Sequence, residues 1–170
     1  MKRIVGGSEM KALDGCTITG MGVPSCVLME RAAECVARKA EQLCDQKTLQ
    51  ILAICGVGNN GADGVAAARM LYLHGFDVLV VVVGNEAHAT KEFEVQKGIA
   101  EKLEIPVVDW EHFLHGEDEQ KAGDCAIIDA VFGVGLSRDV EGTYAAVLDW
   151  INKAETCLLY TSDAADDMQG

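Results

Sequence analysis

The sequence predicts an α/β protein in which a doubly wound, mostly parallel sheet lies between two layers of helices. Three observations support this prediction. Short apolar segments alternate with longer amphipathic ones along the chain, as in repeated strand–helix units. The segment 77–84, DVLVVVVG, is almost continuously apolar, as expected of a strand that helices cover on both faces. Two glycine-rich loops directly follow predicted strands, and ligands bind beyond the carboxyl ends of strands in such sheets.

Each predicted element follows from its own pattern of apolar residues. A first helix is predicted over 23–45, with Pro24 or Ser25 near its start. Four strands are predicted over residues 49–56, 77–84, 105–110 and 125–133. Helical segments are predicted to connect or follow them over residues 64–75, 89–104, 111–124 and 143–154. The apolar face of the first helix is predicted to contain Val27, Leu28, Ala32, Cys35, Val36, Ala40 and Leu43.

Composition narrows the classes of function. The chain has 170 residues, which is the size of one domain, and a net charge of −13. Such an acidic surface argues against nucleic-acid or anionic-membrane partners. No apolar run approaches the roughly 20 residues of a membrane-spanning helix, and no secretory signal is evident. Seven cysteines without a secretory context indicate reduced thiols, so the cytoplasm is the expected location.

The first glycine loop, GVGNNGADG at residues 56–64, matches the G-x-G-x-x-G pattern of dinucleotide-binding turns. Glu86, at the end of the next predicted strand, is the acid that this pattern requires for the ribose. Asp63 argues against an ordinary NAD-dependent dehydrogenase. Near the helix N-cap, its carboxylate would compete with a pyrophosphate for the same free N–H groups.

The asparagines of this loop indicate a different chemistry. Asn59 and Asn60 provide side-chain oxygens on a rigid turn, and amide and carboxylate oxygens are ligands for hard cations. Asp129, at the end of the fourth predicted strand, could meet Asn60 and complete part of a cation site. The alternative is that the asparagines only cap turns. Asp129 would then cap a helix or bond to its own loop.

Several ordered motifs together resemble one known family. They are EMKALDGCTITGMGVPSCVLMERA at 9–32, GNNGADG at 58–64 followed by AAARML, and IIDAVFGVGLSRD at 127–139. The chain resembles the YjeF N-terminal family, the NAD(P)H-hydrate epimerases, from residue 8 to about 155. The resemblance implies a Rossmann-like domain, commonly a homodimer, that interconverts the R and S forms of hydrated NADH and NADPH in metabolite repair. A fused or partner NAD(P)H-hydrate dehydratase is a further implied possibility.

The resemblance also implies a site. One potassium ion would be held by Asn60 and Asp129, and Asp129 is the candidate catalytic acid for inversion at the hydroxyl-bearing ring carbon. Ala62 stands where the family usually has glycine, a change that matters only if the position requires a positive φ. The substrate would contact the first loop at Asn59, Asn60, Gly61, Ala62 and Asp63, and the second at Gly133, Val134, Gly135, Leu136, Ser137, Arg138 and Asp139.

The C-terminal segment departs from the family pattern. Family members continue with a strand that ends in an Asp-x-Pro-Ser-Gly turn, whereas this chain continues as CLLYTSDAADDMQG at 157–170. CLLYTSDAADD resembles the translation of a sequencing adapter. We therefore expect a truncated epimerase-type domain over 1–156, with a sheet incomplete at its C-terminal end, and a non-native tail over 157–170. Such a chain is expected to aggregate and to have little or no activity.

Other interpretations of the sequence stay open. The same fold occurs in non-catalytic scaffold proteins, so a binding module is the alternative to the enzyme, as is an inactive fragment of a bifunctional epimerase/dehydratase. Arg69 could reach a phosphate or pair with a carboxylate, and Arg138 is the stronger phosphate candidate. His112 and His115 have a spacing that can bind metal on a helix, but without a third ligand they are interpreted as surface residues.

Overall fold

A computed structural model of the protein describes residues 6–44, 50–116, 125–133, 140–154 and, for the backbone alone, 157–160. Its strands are β1 (Gln50–Gly56), β2 (Val78–Val83), β3 (Val107–Asp109), β4 (Cys125–Ala130) and β5 (Cys157–Tyr160). They form one parallel sheet in the order β3–β2–β1–β4–β5. The four predicted strands and their parallel arrangement are confirmed, and β1 lies at the centre.

In the part of the chain that the structure describes, six α-helices accompany the sheet. They are α1 (Gly7–Gly15), α2 (Ser25–Leu43), α3 (Asn59–Leu73), α4 (Lys91–Lys102), α5 (Trp110–His115) and α6 (Thr143–Lys153). A π-helix, Cys16–Gly20, continues α1, and a 3₁₀ turn, Glu86–His88, precedes α4. No element had been predicted from the sequence before residue 23, so α1 and the π-helix are additional findings.

Helices cover both faces of the sheet, which confirms the three-layer α/β/α class. On one face α2, α3 and α4 pack on Ile51, Ala53 and Cys55 of β1. On the other face α5 and α6 pack on Leu52 and Ile54 of the same strand. Successive residues of a strand point to opposite faces, and both faces are buried here, so every residue of 51–56 is buried.

The predicted apolar face of the first helix was right at Ala40, which is buried, and at Val36, which packs partly buried on the core, but wrong at most other positions. The buried residues of α2 are Met29, Ala33, Ala37 and Ala40, whereas Val27 and Leu43 are 46% and 47% exposed. The physical reason is close helix packing. Ala33 lies in one cluster with Ala66 and Ala67 of α3, and small side chains let two helices approach closely. The bulky Val27 and Leu43 do not fit this close contact between helices and are exposed instead.

The helix after the first glycine loop begins earlier than predicted. The predicted start was Gly64, but α3 begins at Asn59 with Gly58 as its N-cap. Asp63 is therefore the fifth residue of the helix and not its cap, which corrects the prediction made for it. Asparagine is common in turns and misled the prediction. Gly61 closely approaches Gly56, and Gly64 closely approaches Ala130, so both glycines lie on the surface of the helix that packs on the sheet.

The segment predicted to be a non-native tail contains β5. Its backbone pairs in parallel with β4, from Ala126 opposite Cys157 to Asp129 opposite Tyr160. The predicted domain boundary after residue 156 stays a prediction.

Candidate active site

The candidate site lies at the carboxyl edge of the sheet, between β1 and β4. From this edge the chain after β1 enters α3 on one face, and the chain after β4 leads to α6 on the other face. Two connections that diverge in this way leave a crevice between them, which is where open α/β sheets bind ligands. The first glycine loop meets the described start of the second, Phe132 and Gly133, at this crevice, as predicted.

The glycines of the first loop are required by close backbone contacts. A Cβ atom built on Gly61 would lie 1.6 Å from the carbonyl oxygen of Gly56, and one on Gly56 would lie 2.3 Å from that of Val131. A Cβ on Gly64 would lie 2.3 Å from the side chain of Ala130. These three glycines therefore let β1, the start of α3 and the end of β4 approach one another more closely than residues with a Cβ would allow.

Gly58 differs from these three glycines. A Cβ built there would meet none of the described residues within 4 Å, so they leave the space beside this N-cap open. The first N–H groups of a helix have no partner within the helix and attract negative groups. The open side of Gly58 is thus where a phosphate of a nucleotide can approach the backbone most closely.

Asn60 joins the two loops. Its side-chain Nδ2 donates a hydrogen bond of 2.8 Å to the carbonyl oxygen of Phe132. A Cβ on Gly133 would lie 3.2 Å from the Cβ of Asn60, so the asparagine side chain lies directly over Gly133. The alternative that this asparagine only caps its own turn is therefore wrong. Its bond crosses to the second loop, whereas Asn59 is exposed to solvent.

Asp129 lies at the end of β4, opposite Ile54 of β1. One carboxylate oxygen accepts a 3.0 Å hydrogen bond from the backbone N–H of Val131, so the bond to its own loop that we weighed as an alternative is present. Burial raises the pKa of this half-buried carboxyl, and the Val131 bond opposes that shift. The side chain of Asn60 donates its hydrogen bond to the carbonyl of Phe132, which lies three residues after Asp129 in the chain.

Asp63 is a half-buried carboxyl on the second turn of α3. Burial, and to a lesser extent the negative charge of Asp14 on α1, raise its pKa to about 7. The N-terminal helix therefore lies near enough to the start of α3 to influence the site, which the sequence did not predict. Ala62, its neighbour, is fully buried in helical backbone without a positive φ, so the methyl group there causes no strain.

We expect Asp63 to make the protein less stable as pH rises. Its folded-state pKa is above the roughly 3.9 of an unfolded aspartate, so the folded state binds the proton more tightly. The contribution is present below about pH 4 and is lost as pH rises through about 7. Replacing Asp63 with asparagine should flatten this dependence. Urea unfolding at several pH values measures it. Equal pH slopes for wild type and Asp63→Asn would contradict the assignment.

The second glycine loop is described only as far as Gly133. The predicted substrate contacts Val134, Gly135, Leu136, Ser137, Arg138 and Asp139 lie outside the described residues. Gly133 is at the crevice, against Asn60.

Two charged residues left open by the sequence have partners in the structure. Arg69 is largely buried, and its Nη2 lies 2.5 and 2.6 Å from the two carboxylate oxygens of Glu30 on α2. Of the two roles considered for Arg69, the structure shows the pairing with a carboxylate. Glu86, the acid predicted to bind a ribose, forms a 2.6 Å ion pair with Lys97 of α4.

An aromatic wall of the crevice was missed by the sequence analysis. The ring of Tyr144 lies 5.0 Å, centroid to centroid, from that of Phe132. Its hydroxyl oxygen would be 2.2 Å from a Cβ on Gly84, which follows β2 with φ of +112°. Both aromatic residues had been placed in a strand or a helix without a role. The available signal was a glycine at the end of a strand, where a close approach is common.

Two negative findings concern the described part of the chain. Within it, no three His, Cys, Asp or Glu side chains converge as a metal site. None of its helices is both long and apolar enough to cross a membrane.

With this geometry established, comparison with known proteins identifies the family. The family model described as "YjeF-related protein N-terminus" matches residues 25–163, and the chain belongs to this family. A relative from Limosilactobacillus fermentum, named NAD(P)H-hydrate epimerase, is 39% identical over 153 residues, covering 90% of this chain and 70% of the relative. A relative of the same name from Oenococcus oeni is 37% identical over 155 residues, covering 91% and 70%.

A solved structure supports the fold. The crystal structure of the yeast protein ynu0 (YNL200c) matches with a TM-score of 0.81, covering 94% of this chain and 70% of the yeast chain. The sequence identity is 20%, so this likeness concerns the arrangement of helices and strands alone.

Proposed function

We propose that this protein is an NAD(P)H-hydrate epimerase, an isomerase that interconverts the R and S forms of hydrated NADH and NADPH in metabolite repair. Relatives of that name match over about nine-tenths of the chain. The observation that carries the proposal is the hydrogen bond from Asn60 to Phe132, which closes the glycine turn and the second loop around one crevice.

The chemistry of the crevice suits a hydrated dinucleotide better than hydride transfer. The open N-cap at Gly58 accepts a phosphate. Asp63 and Asp129 place two carboxyl groups of raised pKa near the same crevice, which an ordinary dehydrogenase does not need. Inversion at the hydroxyl-bearing ring carbon requires loss of the hydroxyl, or ring opening, and re-addition from the other face.

A carboxyl group whose pKa lies near the working pH is suited to give and take the proton in these steps. Asp129 is the proposed acid because it lies at the end of β4, at the base of the second loop. The backbone N–H of Val131 fixes one oxygen of its carboxyl, and this leaves the proton-bearing side of the group oriented. General acid catalysis of this kind contributes about 10²–10⁴-fold to the rate.

The residues present fit a potassium ion as a cofactor. Asn60 and Asp129 provide amide and carboxylate oxygens, which hard cations prefer. When bound, the cation would offset negative charge beside a phosphate-bearing substrate. Burial disfavours the charge of Asp129, so that carboxylate in particular would be stabilised by a bound cation.

We expect activity and stability to depend on potassium. Exchanging potassium for tetramethylammonium, which is too large for an oxygen-lined site, should lower both the rate of epimerisation and the thermal midpoint. Asn60→Ala should abolish the shift in the midpoint, because one of the two proposed ligands is gone. An identical midpoint in both salts at equal ionic strength would count against the cation site.

The function itself is tested by following isomerisation of hydrated NADH and NADPH chromatographically. Catalysis that Asn60→Ala removes supports the enzyme, whereas binding without turnover supports the scaffold alternative. Tight binding of intact NAD would favour a dehydrogenase.

We also propose a homodimer, a partner or fused dehydratase and a cytoplasmic location. Leu13, Met21 and Val27 are large apolar residues that are exposed near the N-terminal end, which supports association through that region. Cys16, Cys26, Cys35 and Cys55, among the cysteines that the structure describes, are free thiols, which suits a reducing compartment. Sedimentation equilibrium measures the association.

A further inference from the structure

A cavity at the carboxyl edge of β2 and β3 adjoins the candidate site. Its volume is about 410 Å³, which is within the range of small-molecule pockets. Its walls come from three connections: the residues after β2, the junction of β3 with α5, and the start of α6. The residues used below are Gly84, Asn85, Asp109, Glu111, Thr143 and Tyr144.

The cavity lies beside the glycine turn. The position of a Cβ on Gly84 is 2.2 Å from the hydroxyl of Tyr144 and 3.6 Å from a methyl of Val57, the residue between the first two glycines of the turn. Tyr144 in turn contacts Phe132, whose carbonyl binds Asn60. The cavity therefore adjoins the turn whose N-cap, Gly58, is the proposed phosphate site.

The cavity is lined by groups that suit a nucleoside. The half-buried ring of Tyr144 offers an aromatic surface for a base. The hydroxyl of Thr143 and the carboxylates of Asp109 and Glu111 offer hydrogen-bond partners for a ribose. Carboxylates accept hydrogen bonds from ribose hydroxyls, whereas a basic residue accommodates a 2′-phosphate. One oxygen of Asp109 already accepts a 2.8 Å hydrogen bond from the backbone N–H of His112, so Asp109 would offer its other oxygen to the ribose.

The charge around the cavity is predominantly negative. An adjoining hollow of about 350 Å³ shares Val82 and Asp109 with it. Lys97, which lines that hollow, forms ion pairs with Glu86 at 2.6 Å and with Glu101 at 3.5 Å. Among the described residues lining the two hollows, the charged or titratable side chains are Glu86, Lys97, Glu101, Asp109, Glu111 and His112. Four carboxylates thus face one lysine and one histidine.

We infer that this cavity holds the adenosine half of the hydrated dinucleotide, and that its carboxylates make hydrated NADH a better substrate than hydrated NADPH. The inference rests on the proposed function for the identity of the substrate. The two substrates differ only in the 2′-phosphate of that adenosine half. Asp109 and Glu111 accept hydrogen bonds from the ribose hydroxyls and repel the 2′-phosphate.

Binding of two adenosine nucleotides to the protein tests the cavity without requiring turnover. Adenosine 5′-monophosphate and adenosine 2′,5′-bisphosphate are titrated while amide signals of Gly84, Thr143 and Tyr144 are followed by NMR. We expect both nucleotides to shift these signals, with the monophosphate binding about fivefold more tightly. Glu111→Lys should remove or reverse that preference. Glu94→Lys is the matched control, because Glu94 is also exposed in the first turn of a helix, α4, and does not line the cavity.

The outcomes separate this inference from the proposed function. Shifts confined to the glycine turn, or a wild-type protein that prefers the bisphosphate, overturn the inference even if the protein epimerises hydrated NADH. Equal changes of preference in Glu111→Lys and Glu94→Lys overturn it too, because general charge would then be the cause. If the nucleotides bind as expected but neither hydrate is isomerised, the proposed function fails and the nucleoside site stands.

Discussion

Replacing Gly61 with alanine is expected to destabilise the protein by about 3 kcal/mol or more, which is the upper range for overpacking a close contact. The new Cβ would lie 1.6 Å from the carbonyl oxygen of Gly56 and 2.6 Å from its carbonyl carbon. Both are backbone atoms and cannot rotate away as the end of a flexible side chain can. Either α3 moves away from β1 or the end of β1 is displaced, and both movements open the crevice.

Gly98→Ala is the matched control for this substitution. Gly98 lies inside α4, and a Cβ there would meet nothing within 4 Å. Alanine is a better helix former than glycine by about 1 kcal/mol, so this variant should be slightly more stable than wild type. Urea denaturation measures both variants. A Gly61→Ala protein as stable as Gly98→Ala would mean that the glycine turn is not packed as described.

The second large effect is expected at Asn60. Replacing it with alanine should lower epimerase activity about 100-fold, because a misplacement of about 1 Å in a catalytic site has effects of that size. The variant loses the 2.8 Å hydrogen bond to Phe132 that joins the two loops, and it loses one proposed potassium ligand. The loss of stability should be modest, about 0.5–1.5 kcal/mol for one hydrogen bond.

Two further variants separate the roles of Asn60. Asn60→Asp keeps the oxygens but removes the donor to Phe132, so low activity in this variant identifies the loop-joining bond as essential. Gln50→Ala removes a side-chain bond of 3.2 Å to Asp77 at the opposite, amino end of β1. Its activity should be unchanged. Comparable losses of activity in Gln50→Ala and Asn60→Ala would show that only general stability was measured.

The sheet could be predicted from the sequence because its strands are defined by local chemistry. The run Val78–Val83 is apolar on both faces, so it had to be a strand between two layers of helices. The parallel arrangement of the strands follows from their alternation with helices, since parallel strands need helical crossovers. The position of the two glycine loops at one edge was predictable for that reason.

What could not be predicted depends on packing between distant segments. The buried face of α2 is set by the alanines of α3, and no periodicity within α2 alone distinguishes Ala33 and Ala37 from Ala32. The start of α3 at Asn59 depends on the contact between Gly61 and Gly56, which exists only in three dimensions. For this reason helix propensity alone predicted Asp63 near the N-cap of α3, whereas the N-cap is Gly58.

The sequence predicted which residues form the site better than it predicted how they are arranged. The motifs identified Asn60 and Asp129, and the structure adds that Asn60 binds the second loop through Phe132. The influence of Asp14 on Asp63 had no sequence signal, and the only signal for the wall formed by Tyr144 was the glycine at the end of β2. Such contacts become visible only when the elements are assembled.

The most direct test of the account is the rate at which the folded protein equilibrates a sample enriched in the R form of hydrated NADH. Because β5 pairs with β4 and covers the edge whose exposure underlay the expected loss of activity, we predict equilibration well above the spontaneous rate in potassium buffer, and a return to near that rate with Asn60→Ala. A folded wild-type protein that leaves the spontaneous rate unchanged, with hydrated NADH in excess, would contradict it.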